Sequence, residues 1–262
     1  MRRQNNKSSK PDKTMNHLLL ATSVQGGLTI AAITQYLFWI GTVAMGCGTA
    51  FFWLERSNVA ARYRSVLTVS GLVTGVACFH YFRMASIYAG GDFPTAYRYI
   101  DWIITTPLML IKFPLLLGLG KGARRFLLPL IVLDVLMIVT AYVAEVSPLG
   151  GGMWWAFFIF ACICELGIVY QLFAKMSASI DAAPAPIAEA LRLMRGFILI
   201  GWLIYPIGFL MALGGTAGGD LREIFYNVAD VINKVGFGLV AYYGIKALSS
   251  IETEAGLKPA HT

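Results

Sequence analysis

The sequence predicts an all-α membrane protein, a bundle of seven transmembrane helices. Hydrophobic residues make up 57% of the 262 residues and charged residues only 13%, about half of the charged share in a typical soluble domain. The mean hydropathy is +0.66, and apolar runs recur at close to the length of about 20 residues that a helix needs to cross a bilayer. These observations exclude an ordinary soluble globule and a disordered chain.

Seven apolar runs are long enough to cross a bilayer, and most of them end at short polar or glycine-rich segments. Connections this short predict that consecutive helices pack as antiparallel neighbours. The seven runs are 33–54, 65–88, 96–119, 125–144, 153–173, 191–213 and 221–246. The segments that follow the first four runs are 55–58, 89–92, 120–122 and 147–152.

The basic residues near the spans predict how the bundle is oriented. Most of them lie on one side, and only Arg83, Arg98 and Arg222 lie on the other. The richer side is predicted to be cytoplasmic, which puts the N-terminus outside a multi-pass protein of the inner (plasma) membrane. The chain then divides into an extracellular polar tail (1–30), a seven-helix domain (31–250) and a cytoplasmic tail (251–262).

Neither nucleic-acid binding nor a metal site is predicted. The formal charge is +7, but the basic residues form no face with interleaved aromatic residues. The four cysteines have no metal-ligand spacing and lie within apolar runs; they are Cys47, Cys78, Cys162 and Cys164.

Ionisable residues within the spans are the strongest functional signal, because such groups are costly in hydrocarbon and usually face the bundle interior. They are His80, Arg98, Asp101, Lys112, Asp134, Glu165, Asp230 and Lys234. Lys234 lies near the middle of the seventh span, four residues after Asp230 and therefore on the same helix face. A desolvated amine there can condense with an aldehyde and use Asp230 as its counterion. A buried structural ion pair is the alternative.

A polar stripe runs along the third span. Asp101, Thr105 and Lys112 fall at offsets that place them on one side of a helix, over about 16 Å. Arg98, one turn before Asp101, is placed to pair with its carboxylate. Inert helix contacts can carry similar stripes, so the pattern alone does not define a function.

Three motifs, in this order, resemble the signatures of microbial rhodopsins over residues 33–246. They are Arg98-Tyr-x-Asp101-Trp-x-x-Thr105-Thr-Pro107, Trp202-x-x-Tyr205-Pro206 and Asp230-x-x-x-Lys234-x-Gly-Phe-Gly. The resemblance implies that Lys234 binds all-trans retinal as a Schiff base. It also implies that Asp101 and Asp230 are its counterions and that Asp101 is the first proton acceptor.

The resemblance further implies the walls of a retinal slot. The expected wall residues are Trp102, Thr106, Met109, Trp202, Tyr205 and Pro206, where flat aromatic rings suit a polyene. Asp134 resembles the position near the retinal ring that pairs with Thr106. Met109 resembles a colour-determining position and implies green absorption.

Two residues narrow the comparison within the family. His80 lies within roughly 3 Å of the depth of Asp101 and resembles the helix-two histidine that bonds the acceptor in proteorhodopsin-like proteins; a helix-packing hydrogen bond is the alternative. Lys112 stands where related pumps commonly carry Asp or Glu, and a smaller group of bacterial pumps carries Lys there. We expect it to be the proton donor. The alternative is snorkelling, although Lys121 in the nearest basic loop lies about 13 Å away along the helix.

We therefore expect a light-driven outward proton pump, a transporter rather than an enzyme. Asp101 argues against a chloride pump and Thr105 against a sodium pump. The alternatives are a photosensory rhodopsin that signals to a partner and a retinal-free receptor or permease.

The expected partners are a lipid bilayer and further copies of the chain in a homo-oligomer. A carotenoid antenna is not expected, because Trp155, Phe157 and Phe158 are bulky. The sequence assigns no role to Glu165, which could lie at a subunit contact or in a wet pocket.

Overall fold

The computed structural model describes residues 29–255, and this part of the chain is helical without any strand. The predicted tail at 1–30 therefore lies almost wholly outside the described residues, as do residues 256–262. Within residues 29–255, seven helices form a bundle, which confirms the predicted fold class. They are α1 (Ile30–Glu55), α2 (Arg64–Ala89), α3 (Thr95–Leu116), α4 (Arg124–Glu145), α5 (Gly152–Tyr170), α6 (Ala185–Gly196 and Ile204–Met211) and α7 (Gly215–Val231 and Phe237–Glu254).

The last two helices are longer than their apolar runs predict. α6 begins at Ala185, directly after Pro184, and α7 begins at Gly215. α7 also continues to Glu254, so the first residues of the predicted cytoplasmic tail are helical. Hydropathy marks only the part of a helix that sits in hydrocarbon, and the polar turns at its ends carry no such signal.

α6 and α7 follow one another with almost no connecting loop. Between residues 29 and 255, six continuous helical segments are long and apolar enough to cross a membrane, and the last of them, Ala185–Glu254, contains both helices. The chain reverses at Gly215, whose φ of 69° is open to glycine. Two hydrogen bonds fix the antiparallel register: Tyr226 to the Tyr205 carbonyl (3.0 Å) and Asn233 to the Gly201 carbonyl (3.0 Å).

Wide π-helical turns interrupt α6 at Phe197–Gly201 and α7 at Ile232–Gly236. The bond between Asn233 and Gly201 joins the two turns. Gly201 has no side chain where Asn233 approaches, and a Cβ there would overlap the Asn233 amide. Such turns often occur at functional sites, and the turn in α7 carries Lys234.

Burial is inverted relative to a soluble protein. Large apolar side chains such as Leu54, Leu166 and Ile200 point outward, whereas Arg98, Lys112 and other charged groups are buried within the bundle. An apolar exterior around a charged interior suits a protein surrounded by lipid.

Candidate functional site

The site is centred on an amine between two carboxylates. Lys234 on α7 donates to Asp101 on α3 and, at 3.0 Å, to Oδ2 of Asp230 on its own helix. All three side chains are at least 98% buried. A charged amine can lie in so dry a place because two anions compensate it. All three belong to the ionisable residues that the sequence places within the spans.

The two carboxylates have different surroundings. Asp230 accepts hydrogen bonds from the hydroxyls of Tyr205 (2.6 Å) and Tyr81 (3.0 Å) and from the indole of Trp102 (3.2 Å). Asp101 binds Lys234 through Oδ2, but its Oδ1 is buried and has no hydrogen-bond partner within residues 29–255. Asp230 is therefore held as an anion by several donors, whereas Asp101 keeps one oxygen free.

The position of Arg98 one turn before Asp101 suggested that the two residues pair, but they do not. Its guanidinium donates to Glu223 at 2.6 Å and to the Asn227 side-chain carbonyl at 2.8 Å, and it lies 3.6 Å from Asp230. Because α7 presents three acceptors to Arg98, the side chain pairs across the bundle with α7 and not with Asp101 of its own helix.

Sequence reasoning missed a buried charge network at the end of the bundle where α3 and α7 begin. Glu223 joins Arg98 to Arg222, and Arg222 also pairs with Glu145 at the end of α4. A signal for part of it was present: Glu223, Asn227, Asp230 and Lys234 follow the spacing of one helix face. Glu145 had no such signal, because only tertiary packing brings the end of α4 to this network.

His80 lies beside Asp101 but does not form the expected hydrogen bond. Its Nδ1 is 3.9 Å from Asp101 Oδ1 and makes a 2.9 Å hydrogen bond with the carbonyl of Val76, one turn earlier on α2. The separation exceeds hydrogen-bond length. The ring nitrogen nearest to Asp101 is thus already engaged by its own helix.

The adjacent residues Thr105 and Thr106 of α3 have different partners. Thr105 donates to the backbone carbonyl of Asp101 (2.8 Å) and not to its carboxylate. Thr106 donates to Asp134 on α4 at 3.0 Å, the pair that the resemblance implied. Asp134 is fully buried, so this contact ties α3 to α4 beside the slot.

A cavity reaches Lys234 between the helices. It contains about 690 Å³ of atom-free space, part of which is open to the surroundings. Apolar and aromatic side chains form most of its wall, and Glu165 joins them from α5. All the wall residues expected from the sequence are among them: Trp102, Thr106, Met109, Trp202, Tyr205 and Pro206. The mostly apolar and aromatic lining fits a flat, apolar aldehyde attached to Lys234.

Lys112 lies on α3 toward the opposite end of the bundle from Arg98. It is fully buried, which contradicts the snorkelling alternative. Its amine donates to the hydroxyl of Ser70 at 3.2 Å and lies 4.6 Å from the centre of the Phe237 ring. Neither of these contacts was anticipated from the sequence, which carries no pattern that links α2, α3 and α7 at this depth.

Comparison with known proteins gives consistent results. The family model described as "Bacteriorhodopsin-like protein" matches residues 32–248. A green-light absorbing proteorhodopsin of Gamma-proteobacterium EBAC31A08 is 37% identical over 86% of this chain and 92% of its own. A blue-light absorbing proteorhodopsin of Gamma-proteobacterium Hot 75m4 is 34% identical over 83% of this chain and 88% of its own length.

Solved structures agree with the relatives. The rhodopsin of Exiguobacterium sibiricum is 47% identical, with a TM-score of 0.78 over 84% of this chain and 98% of its own. Xanthorhodopsin, described as a light-driven ion pump with dual chromophore, is 31% identical, with a TM-score of 0.77 over 86% of this chain and 96% of its own.

Proposed function

The chain belongs to the bacteriorhodopsin-like family, and on this premise we propose that it is a light-driven outward proton pump that binds retinal through Lys234. Its relatives include proteins named proteorhodopsin and light-driven ion pump. It is a membrane transporter and not an enzyme. The observation that carries the proposal is the buried Lys234 amine, which two carboxylates neutralise and which adjoins a cavity lined mostly by apolar and aromatic side chains.

The cavity residues fit retinal. Trp102, Trp202 and Tyr205 would hold the polyene between aromatic rings, and Thr106, with Asp134 behind it, would contact it from α3 and α4. When bound to Lys234, all-trans retinal supplies light absorption and an isomerisation that reorients the nitrogen at which the proton resides. The remaining steps belong to the side chains of the chain itself.

Asp101 is our candidate for the first proton acceptor. Its free Oδ1 can take up a proton without breaking an existing hydrogen bond. Protonation of Asp230 would instead compete with the four donors that its two oxygens already bind. A buried charge with that many partners is stabilised as an anion, which suits a permanent counterion.

The outward direction follows from the orientation that the basic residues predict. Asp101 lies near the start of α3, on the predicted outer side, and the network of Arg98, Glu223 and Arg222 lies beyond it. Lys112 lies near the end of α3, on the predicted cytoplasmic side. A proton released to Asp101 is thus on the outer side of Lys234, and Lys112 can restore it from the inner side.

Two further points remain proposals. We expect a homo-oligomer in the bilayer without a carotenoid antenna; in support of the latter, Phe158 stacks on Phe209 with ring centres 4.8 Å apart and occupies the face between α5 and α6. The photosensory alternative uses the same pocket, and net proton movement in vesicles separates it from a pump.

The binding part of this proposal is tested by adding all-trans retinal to the purified protein. We expect a visible absorption band that hydroxylamine bleaches under light and that the Lys234→Ala variant does not form. A chain that stays colourless, or a Lys234→Ala variant that forms the same band, would contradict it and favour a retinal-free receptor or permease.

A further inference from the structure

We propose that Phe237 is a positioning residue for Lys112, which holds the charged amine against its ring face while Ser70 supplies the hydrogen-bond acceptor. The inference rests on the proposed donor role of Lys112 and adds the groups that allow the donor to carry its proton inside the bundle. Phe237 follows Lys234 by three residues on α7, so this contact also connects the donor to the helix turn that carries the chromophore amine.

The Lys112 amine is buried where no carboxylate compensates its charge within residues 29–255. The side chain is fully buried, and within residues 29–255 it forms no ion pair. A buried ammonium without a compensating group is strongly disfavoured. Within residues 29–255 the amine contacts the Ser70 hydroxyl on α2 and the Phe237 ring on α7, and both contacts favour its charged form.

The ring provides a cation–π contact for the amine. Lys112 Nζ lies 4.6 Å from the ring centre, within the range at which the negative face of an aromatic ring attracts a cation, and this attraction is larger in a desolvated site. Phe237 is fully buried, and its ring packs at steep angles against Phe113 of α3 (5.9 Å) and Phe197 of α6 (6.2 Å). Two neighbouring rings therefore fix the orientation of the ring that meets the amine.

Ser70 can only act as an acceptor toward Lys112. Its single hydroxyl proton is donated to the carbonyl of Val66, one turn earlier on α2, at 3.0 Å. The oxygen that remains receives the amine proton at 3.2 Å. Ser70 thus stabilises the protonated amine by accepting its hydrogen bond, and in this arrangement Ser70 cannot itself pass a proton to the amine.

Phe237 is separate from the chromophore slot, which makes a clean test possible. It does not line the cavity beside Lys234, so its replacement leaves the wall of the slot unchanged. The test is a flash experiment at a series of pH values on the retinal-loaded protein, with the rate of reprotonation as the readout. In the native protein this rate should become proportional to proton concentration above the pH at which Lys112 loses its proton.

In Phe237→Leu the midpoint of this pH profile should move to lower pH by about one unit, the shift expected from the loss of a desolvated cation–π contact. Phe237→Tyr keeps an aromatic face and should retain the native midpoint. Phe51→Leu, which removes a half-buried ring on α1 next to Tyr242, is the matched control and should leave the profile unchanged. A native midpoint in Phe237→Leu would overturn the inference.

A second series keeps the test valid if the leucine variant fails to fold. Phenylalanine with one, two or three ring fluorines at position 237 preserves the shape of the ring and progressively weakens its negative face. The midpoint should fall with each fluorine, and a midpoint that does not change across the series would overturn the inference.

Lys112→Ala separates this inference from the donor proposal. If reprotonation is slow in Lys112→Ala but the fluorinated series matches the native protein, Lys112 is the donor and Phe237 does not position it. If Lys112→Ala recovers at the native rate, the donor proposal itself fails. In Lys112→Ala/Phe237→Leu, loss of the ring should add nothing to the loss of the amine; an added slowing in the double variant would contradict positioning through Lys112.

Discussion

Tyr205 on α6 donates a 2.6 Å hydrogen bond to Asp230 on α7, so one side chain both lines the candidate chromophore cavity and binds the second counterion. The contact ties the geometry of the slot to the charge that balances Lys234. Changes to the slot wall should therefore alter the electrostatics at the amine as well as the fit of the ligand.

Tyr205→Phe should shift the visible band to longer wavelength while a pigment still forms. Excitation moves positive charge away from the chromophore nitrogen, so the Asp230 carboxylate stabilises the ground state of the pigment more than its excited state. When Tyr205 no longer holds Asp230 in place, this stabilisation is smaller and the excitation energy falls. Loss of a hydrogen bond to a charged group should also lower stability by about 1.5–3 kcal/mol. Absorption spectra and thermal bleaching measure both effects. Tyr99→Phe is the control, because Tyr99 also lines the cavity but donates to the Ala141 carbonyl. An unshifted band would refute the coupling.

Asp101→Asn should abolish light-driven acidification of a cell suspension, because the amide cannot accept the proton as the carboxylate does. Recordings of external pH under illumination measure the effect. Asp181→Asn, which alters an exposed aspartate paired with Arg192, should acidify the medium normally. Persistent acidification in Asp101→Asn would reject the acceptor assignment.

Lys112→Ala should slow reprotonation at neutral pH by about 100-fold or more, the usual contribution of a positioned general acid. Low pH or added azide should restore the rate, because small acids can then reach the deprotonated nitrogen directly. Flash spectroscopy follows this step. Lys175→Ala removes an exposed amine five residues after α5 ends and serves as the control. Native recovery in Lys112→Ala would refute the donor role.

Gly201→Ala should destabilise the pigment by about 1–3 kcal/mol, as overpacking of a close contact does. The added Cβ would overlap the Asn233 amide and disturb the bond that joins the two π-helical turns. The rate of thermal bleaching provides the measurement. Gly122→Ala adds the same group where nothing lies within 4 Å, so it should bleach at the native rate. Equal bleaching rates in both variants would contradict this account of the turns.

The sequence was sufficient to predict the bundle and the centre of the site. Long apolar runs define helices regardless of tertiary detail, and Asp230 and Lys234 share a face on any helix that carries them at this spacing. The meeting of Asp101 with Lys234 across the bundle came from the resemblance, since residue spacing alone places no residue of α3 against α7.

Contacts that depend on helix rotation and on the choice of partner could not be predicted. Residue counting placed His80 at the depth of Asp101, but the Val76 carbonyl engages its ring nitrogen. Arg98 turns to Glu223 on another helix, although Asp101 is its neighbour on α3. The π-helical turn around Lys234 departs from the regular period on which every spacing argument depends. Ser70 and Phe237 carry no sequence signal of their own.

The most direct test of the central claim is a single flash applied to retinal-loaded cells in the presence of an external pH-sensitive dye. A visible pigment should bleach and recover while protons appear outside the cell, and a protonophore should abolish the lasting change in pH. A photocycle without net proton release, or with proton uptake from the outside, would contradict an outward proton pump.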